Sequence, residues 1–191
     1  MLVILAGAIS LLSPYSADAQ SKWSIDLRPG VNFATKKLGN TDLNTGVGIE
    51  GTVAYRFMPH LGAYAGWSWN RFGTSETSEA NDMDIEETGY SFGLQFIHPI
   101  SAQSRINYII KGGGTYNHIE TENSQGNIVN DTGHGLGWQL GVGAAIPVGK
   151  RVSLIPEVRY RSLSRDIKIG NTSTAVDLNY VSAGVGVSFS F

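Results

Sequence analysis

The chain has 191 residues, a formal net charge of −2 and no cysteine. That length fits one domain, the weak negative charge argues against a nucleic-acid binder, and the missing cysteines exclude disulfide frameworks and Cys-based zinc sites. Glycine is the outlier, with 24 residues against about 7% in average usage, and these glycines lie inside apolar runs with no collagen-like period.

The first stretch, Leu2 to Leu12, is apolar but too short to cross a bilayer as a helix. Ser13 and Pro14 follow, then Ala17-Asp18-Ala19, a small-residue cleavage pattern. This predicts a secretory signal peptide over 1–19, cleaved before Gln20, and a mature domain over 20–191. No Lys or Arg precedes Lys22, so the usual positive leader region is missing and translation can begin upstream of Met1.

Beyond the leader, apolar and polar residues alternate with period two in eight segments: 22–34, 45–57, 61–72, 88–98, 105–118, 135–147, 152–164 and 178–191. Alternate side chains of a strand point to opposite faces. One parity is bulky and apolar, as with Ile25, Leu27 and Val31 in the first segment and Leu136, Trp138, Leu140 and Val142 in the sixth. The other is small or polar, and in the last segment it reads Tyr180, Ser182, Gly184, Gly186, Ser188 and Ser190. A soluble sandwich or lipocalin-type barrel turns its polar face to water. A face of Gly and Ser suits a cramped interior, which puts the apolar face outside, towards lipid. Each segment is long enough for the roughly 9–11 residues a tilted spanning strand needs, and eight is an even count. Pro29 and Pro156 fall inside segments, where a missing ladder donor predicts bulges or local distortion.

Connections alternate in length. Met58-Pro59-His60, the stretch Pro99 to Ser104, and Val148 to Arg151 read as tight turns. The stretches 35–44, 73–87, 119–134 and 165–177 are longer and polar. Short turns on one side and long loops on the other are the layout of an outer-membrane barrel, with the long loops outside the cell. Aromatics near segment ends, Trp23, Tyr55, Phe57, Trp69, Tyr90, Tyr116 and Tyr160, are placed for interfacial girdles.

The inward parity collects the strand charges: Asp26, Glu50 and Glu157 against Arg28, Arg56, Lys111, Arg159 and Arg161. Eight strands leave an interior that side chains just fill, and ions there must be paired. A salt-bridge plug is therefore expected, with Glu50 and Glu157 as acidic hubs. Catalytic signals are absent: no G-x-S-x-G elbow, H-E-x-x-H or P-loop occurs. His118 with Ser124, or His134 with Asp131, resembles no family motif, so no enzyme, cofactor or metal is expected. The carboxylates Glu76, Glu79, Asp82, Asp84, Glu86 and Glu87 read as a solvated acidic loop. The four histidines read as surface residues, although His118 and His134 can approach each other.

On these features the chain resembles the small outer-membrane β-barrel proteins of the OmpA-like, OmpX-like or opacity-type group. The resemblance covers about 22–191 and is carried by the leader, the eight segments, the loop lengths and the terminal Val187-Ser188-Phe189-Ser190-Phe191. It implies an all-β, eight-stranded antiparallel up-and-down transmembrane β-barrel in the outer membrane of a Gram-negative cell. Phe189 and Phe191 match that group's assembly signal, as do Val185, Val187 and Tyr180, which implies the barrel-assembly machinery as a partner. Outer-membrane lipid and lipopolysaccharide are the other expected partners, with surface ligands reached through the loops and a monomeric state. The functional expectation is a structural or surface-interaction role. The alternatives are a narrow porin-like path or a small-solute or hydrophobic-ligand transporter, then an outer-leaflet lipid-modifying enzyme.

Overall fold

The computed structural model describes residues 22–38, 42–74, 84–123, 125–169 and 172–191, with 166–169 and 172–176 described by backbone alone. The predicted leader, Glu76, Glu79, Asp82 and Ser124 lie outside these residues. The described strands are β1 (Trp23–Ala34), β2 (Gly46–Arg56), β3 (Leu61–Gly73), β4 (Asp84–Pro99), β5 (Asn107–Glu122), β6 (Ile128–Asp131), β7 (Gly135–Pro147), β8 (Val152–Ile169) and β9 (Thr172–Ser190). Eight of them form an all-antiparallel ring in which β1 pairs with β9 and β4 with β5, while β6 hangs on β5 as a short extra strand.

The registers fix the tilt. Val31 leads one way through Val47, Arg71 and Glu86 to Glu120. The other way, it leads through Ala183, Val158 and Val142 to Ile110. The two end points lie ten residues apart on β5, a stagger that goes with strands tilted by roughly 35–45°. The ends of the chain close the seam, because Trp23 N–H donates to the Phe191 carbonyl at 3.3 Å and Phe191 N–H to that of Trp23 at 2.9 Å. At the short-turn end, Phe57 N–H donates to Leu61 O at 3.1 Å, Ile100 N–H to Ile106 O at 3.0 Å and Val148 N–H to Val152 O at 3.0 Å.

The prolines meet the expectation of local distortion, each opening a gap in one ladder. Neither produces a bulge. The β1–β9 ladder passes from Leu27–Val187 to Gly30–Gly184 with its register unchanged, and the β7–β8 ladder passes from Gly143–Glu157 to Ile146–Leu154 in the same way. Each proline ring takes a place on the outer wall and removes one donor. The strand stays in register because its neighbour on the other side remains continuously paired, Pro29 with Ile49 and Pro156 with Val185.

At the long-loop end the strands outrun their predicted limits. β4 begins at Asp84, β5 continues to Glu122, and β8 and β9 stay paired out to Ile169 and Thr172. The stretch 165–177 is therefore mostly a β-ribbon. In these extensions the alternation persists with its faces exchanged. Phe72, Ile85, Ile119, Leu163, Leu178 and Tyr180 point inward and form a buried apolar cluster, against which Leu38 and Leu43 of the first loop pack. Outward stand Arg71, Asp84, Glu86, His118 and Glu120, carrying ion pairs. Lower down, the outer wall is apolar, with Ile25, Leu27, Val47, Phe92, Leu94, Leu140, Val142 and Val187 all exposed.

Candidate functional site: the filled lumen

The lumen is layered. Nearest the short-turn end is a cavity of about 100 Å³ lined by Lys22, Asp26, Arg56, Gln95, Asn107 and the serines 153, 188 and 190. Arg56 stands here, apart from the ion pairs of the described residues, and its Nε has no hydrogen-bond partner. The expectation that Arg56 joins the network is thus corrected: as the last residue of β2, it stands at the strand end and lines the cavity below the hubs.

Above the cavity lies the first acidic hub. Glu157 meets Arg159 at 2.5 Å, Lys111 at 3.2 Å and Arg28 at 3.8 Å, and Lys111 also reaches Asp26 at 3.8 Å. Thr52 donates to Asp26 at 3.4 Å. Glu50 forms the next layer. It pairs with Arg159 and, at 3.6 Å, with Arg161, and accepts from Ser91 Oγ at 3.2 Å. These residues come from β1, β2, β4, β5 and β8, so the cluster ties opposite walls of the ring together.

The third hub is Glu87, which sequence reasoning had assigned to the acidic loop. It is fully buried. Its carboxylate accepts from Arg161 at 3.2 Å, Asn70 at 2.5 Å, Tyr180 Oη at 2.9 Å and Asn117. Gln139 links the layers: its Oε1 accepts from Arg161 at 2.8 Å, and its Nε2 donates to Tyr64 Oη at 2.9 Å. The Arg161 guanidinium also lies over the Tyr180 ring at 5.8 Å. Tyr180 thus faces the lumen, as its parity with Ser182 and Gly184 requires. Within the three hubs, four buried cations, Arg28, Lys111, Arg159 and Arg161, stand against four buried acids, Asp26, Glu50, Glu87 and Glu157, while a fifth buried cation, Arg165, lies above them. This balance is what low-dielectric burial demands, since an unpaired ion there costs several kcal/mol.

Arg165 seals the rim above. Its guanidinium donates to the carbonyls of Asn117 at 2.9 Å, Leu136 at 2.9 Å, Gly135 at 2.5 Å and Ser164 at 2.7 Å, so its fixed donors are spent on backbone above the last β7–β8 pair, Gly137 with Leu163. The signal that could have found Glu87 and Arg165 is their parity. Both share the inward face of their strands with Ser91 and Arg161, and period-two counting carried outward along β4 and β8 reaches them.

The named aromatics stand at both ends of the apolar wall. Trp23 and Tyr55 pack with ring centroids 4.7 Å apart at the short-turn end, beside Phe57. Trp69, Tyr90, Tyr116 and Tyr160 lie towards the long-loop end; Trp69 donates to Glu86 at 2.8 Å, and Tyr160 packs on Trp138 at 5.4 Å. Phe189 and Phe191 stack at 6.3 Å beside the chain-end seam.

A closed eight-stranded ring with an apolar outside and an ionic inside is the construction of an outer-membrane barrel. The chain belongs to the outer membrane protein beta-barrel domain family, whose profile matches residues 1–191. In fold it is similar to the Neisserial surface protein A, with TM-score 0.61 and 15% identity over 91% of this chain and 100% of that one. Outer membrane protein W of E. coli gives 0.60 and 13% over 92% and 100%. Ail, the attachment invasion locus protein of Yersinia pestis, gives 0.54 and 15% over 90% and 100%. No curated protein matches the sequence.

Proposed function

We propose that this outer-membrane barrel is a closed, non-enzymatic scaffold, serving membrane integrity or surface contact through its long-loop end. The observation that carries the reading is the lumen filling: Glu50, Glu87, Arg159 and Arg161 are at most 5% exposed, and the apolar cluster of Phe72, Leu163, Leu178 and Tyr180 lies directly above them. The expected result in planar bilayers is no stable conductance from the purified barrel. Reproducible channels whose conductance changes with Glu50→Ala would overturn the closed reading.

A second reading, sideways transfer of apolar ligands, draws support from one observation. A shallow groove on the outer wall, lined by Val142, Ala144, Pro156, Ala183 and Val185, lies beside both ladder gaps. Faster entry of an apolar dye into barrel-loaded vesicles, slowed by Ala183→Trp, would favour it.

The stacked terminal pair, Phe189 and Phe191, fits an address read by the barrel-assembly machinery at the chain-end seam. Deleting Phe191 is expected to leave refolding in detergent intact and to lower the amount assembled in cells severalfold. Equal assembly in cells, measured by the heat-modifiable folded band in membranes, would remove the address role.

A further inference from the structure

The geometry points to a binding site for a zinc-class divalent ion on the outer surface of the long-loop end, held by His118, Glu120 and Asp131. His118 Nδ1 lies 3.4 Å from Glu120 Oε1 and 3.3 Å from Asp131 Oδ1, and the three donor atoms fall within 4.8 Å of one another. Tetrahedral zinc, with Zn–N and Zn–O bonds of about 2.0–2.2 Å, sets neighbouring donors roughly 3.3–3.5 Å apart. The His118 pairs thus already have the spacing of tetrahedron edges.

The strands build this cluster. His118 and Glu120 are two residues apart on β5, hence on one face, and Glu120 is the register partner of Asp131 on β6. Gly133, at φ +66°, turns the chain so that its N–H donates to Asp131 Oδ1 at 2.8 Å and fixes that carboxylate. The His134 ring stacks on His118 at 4.5 Å and 13°, and Tyr116 packs on His134 at 5.1 Å, which holds the imidazole plane. Because the two imidazoles are parallel, they do not aim nitrogens at one point, so the fourth corner is open to water or an external donor.

Chemistry selects the ion. A single ring N–H donates well to one carboxylate, whereas two carboxylates converge on this nitrogen; a cation satisfies all three groups. Mixed imidazole and carboxylate donors suit zinc, copper or nickel, whereas magnesium and calcium take oxygen donors. This departs from the expectation of no metal, which rested on reading the four histidines as surface residues.

The test is calorimetric titration of the refolded barrel with ZnCl2 in metal-free detergent buffer. One saturable equivalent is expected. His118→Ala and Asp131→Asn should each weaken it by at least about 100-fold. The double variant His60→Ala/His98→Ala, which removes the tilted imidazole pair with ring centroids 4.7 Å apart at the opposite end, should bind as the parent does. All these positions are at the surface, and the heat-modifiable band verifies folding. No saturable heat with the parent, or binding that survives either His118→Ala or Asp131→Asn, would overturn the site.

Discussion

Replacing Glu87 with Ala is expected to destabilise the barrel by about 3–5 kcal/mol, the range seen when one partner of a buried ion pair is removed. The substitution strips the acceptor from Arg161, Asn70, Asn117 and Tyr180 together. Arg161 keeps Glu50 at 3.6 Å, but Glu50 is already committed to Arg159. Within the hubs, four cations then face three acids. Exchanging both partners for apolar residues, Glu87→Leu with Arg161→Met, should recover much of the loss, because no ion is left uncompensated at that layer. The exposed pair of Arg71 and Asp84 supplies the contrast: Asp84→Ala should cost less than about 1 kcal/mol. Urea unfolding in lipid vesicles, followed by tryptophan fluorescence, checks all three. Equal losses for Glu87→Ala and Asp84→Ala would show that the buried hub has no special weight.

The second large effect concerns two facing glycines. Gly93 and Gly113 are register partners on β4 and β5, both on the inward face. A Cβ at Gly93 would run into the Gly112 carbonyl, lie 2.7 Å from Gly113 Cα and 2.9 Å from Tyr64 Oη. At Gly113 it would strike the Phe92 carbonyl and lie 2.7 Å from Gly93 Cα. The nearest obstacles at both positions are backbone, which cannot step aside as a flexible side chain does. The bare glycines let the two strands close up and leave room for the Tyr64 ring, whose hydroxyl accepts from Gln139. Gly93→Val and Gly113→Val should each lose at least about 3 kcal/mol, or fail to give the compact band on unheated gels. Gly51→Ala, where an added Cβ meets nothing within 4 Å, should fold as the parent does. Normal folding of both valine variants would mean that the close approach is not required.

The eight-strand ring was legible in the sequence because period two survives wherever one face meets lipid and the other a narrow interior. Ile25, Leu27 and Val31 on one side, with Asp26 and Arg28 on the other, are enough to orient β1. The long-loop end was harder for a physical reason. There the outer face meets water and the interior turns apolar, so Asp84-Ile85-Glu86-Glu87 reads as a charged loop unless the exchange of faces is anticipated. Glu87 was lost to that misreading, and with it the third hub. The short strand Ile128–Asp131 gave too few alternations to register. Which acid meets which base depends on the ten-residue stagger around the ring. Composition does not encode that number, so the contacts of Arg161 with Glu87 and Gln139 required the folded molecule.

The exchange of faces also sets a thickness. On β1 the apolar outer row runs from Trp23 to Phe33, ten residue steps that, at about 3.3 Å each and tilted by roughly 35–45°, rise about 25 Å. Above that height the outer surface is ionic and cannot sink into hydrocarbon. The barrel is therefore matched to a thin bilayer, and in vesicles of longer-chain lipids it must compress the membrane around itself or drag Arg71, Asp84 and Glu86 towards the acyl chains, a mismatch costing fractions of a kcal/mol per ångström.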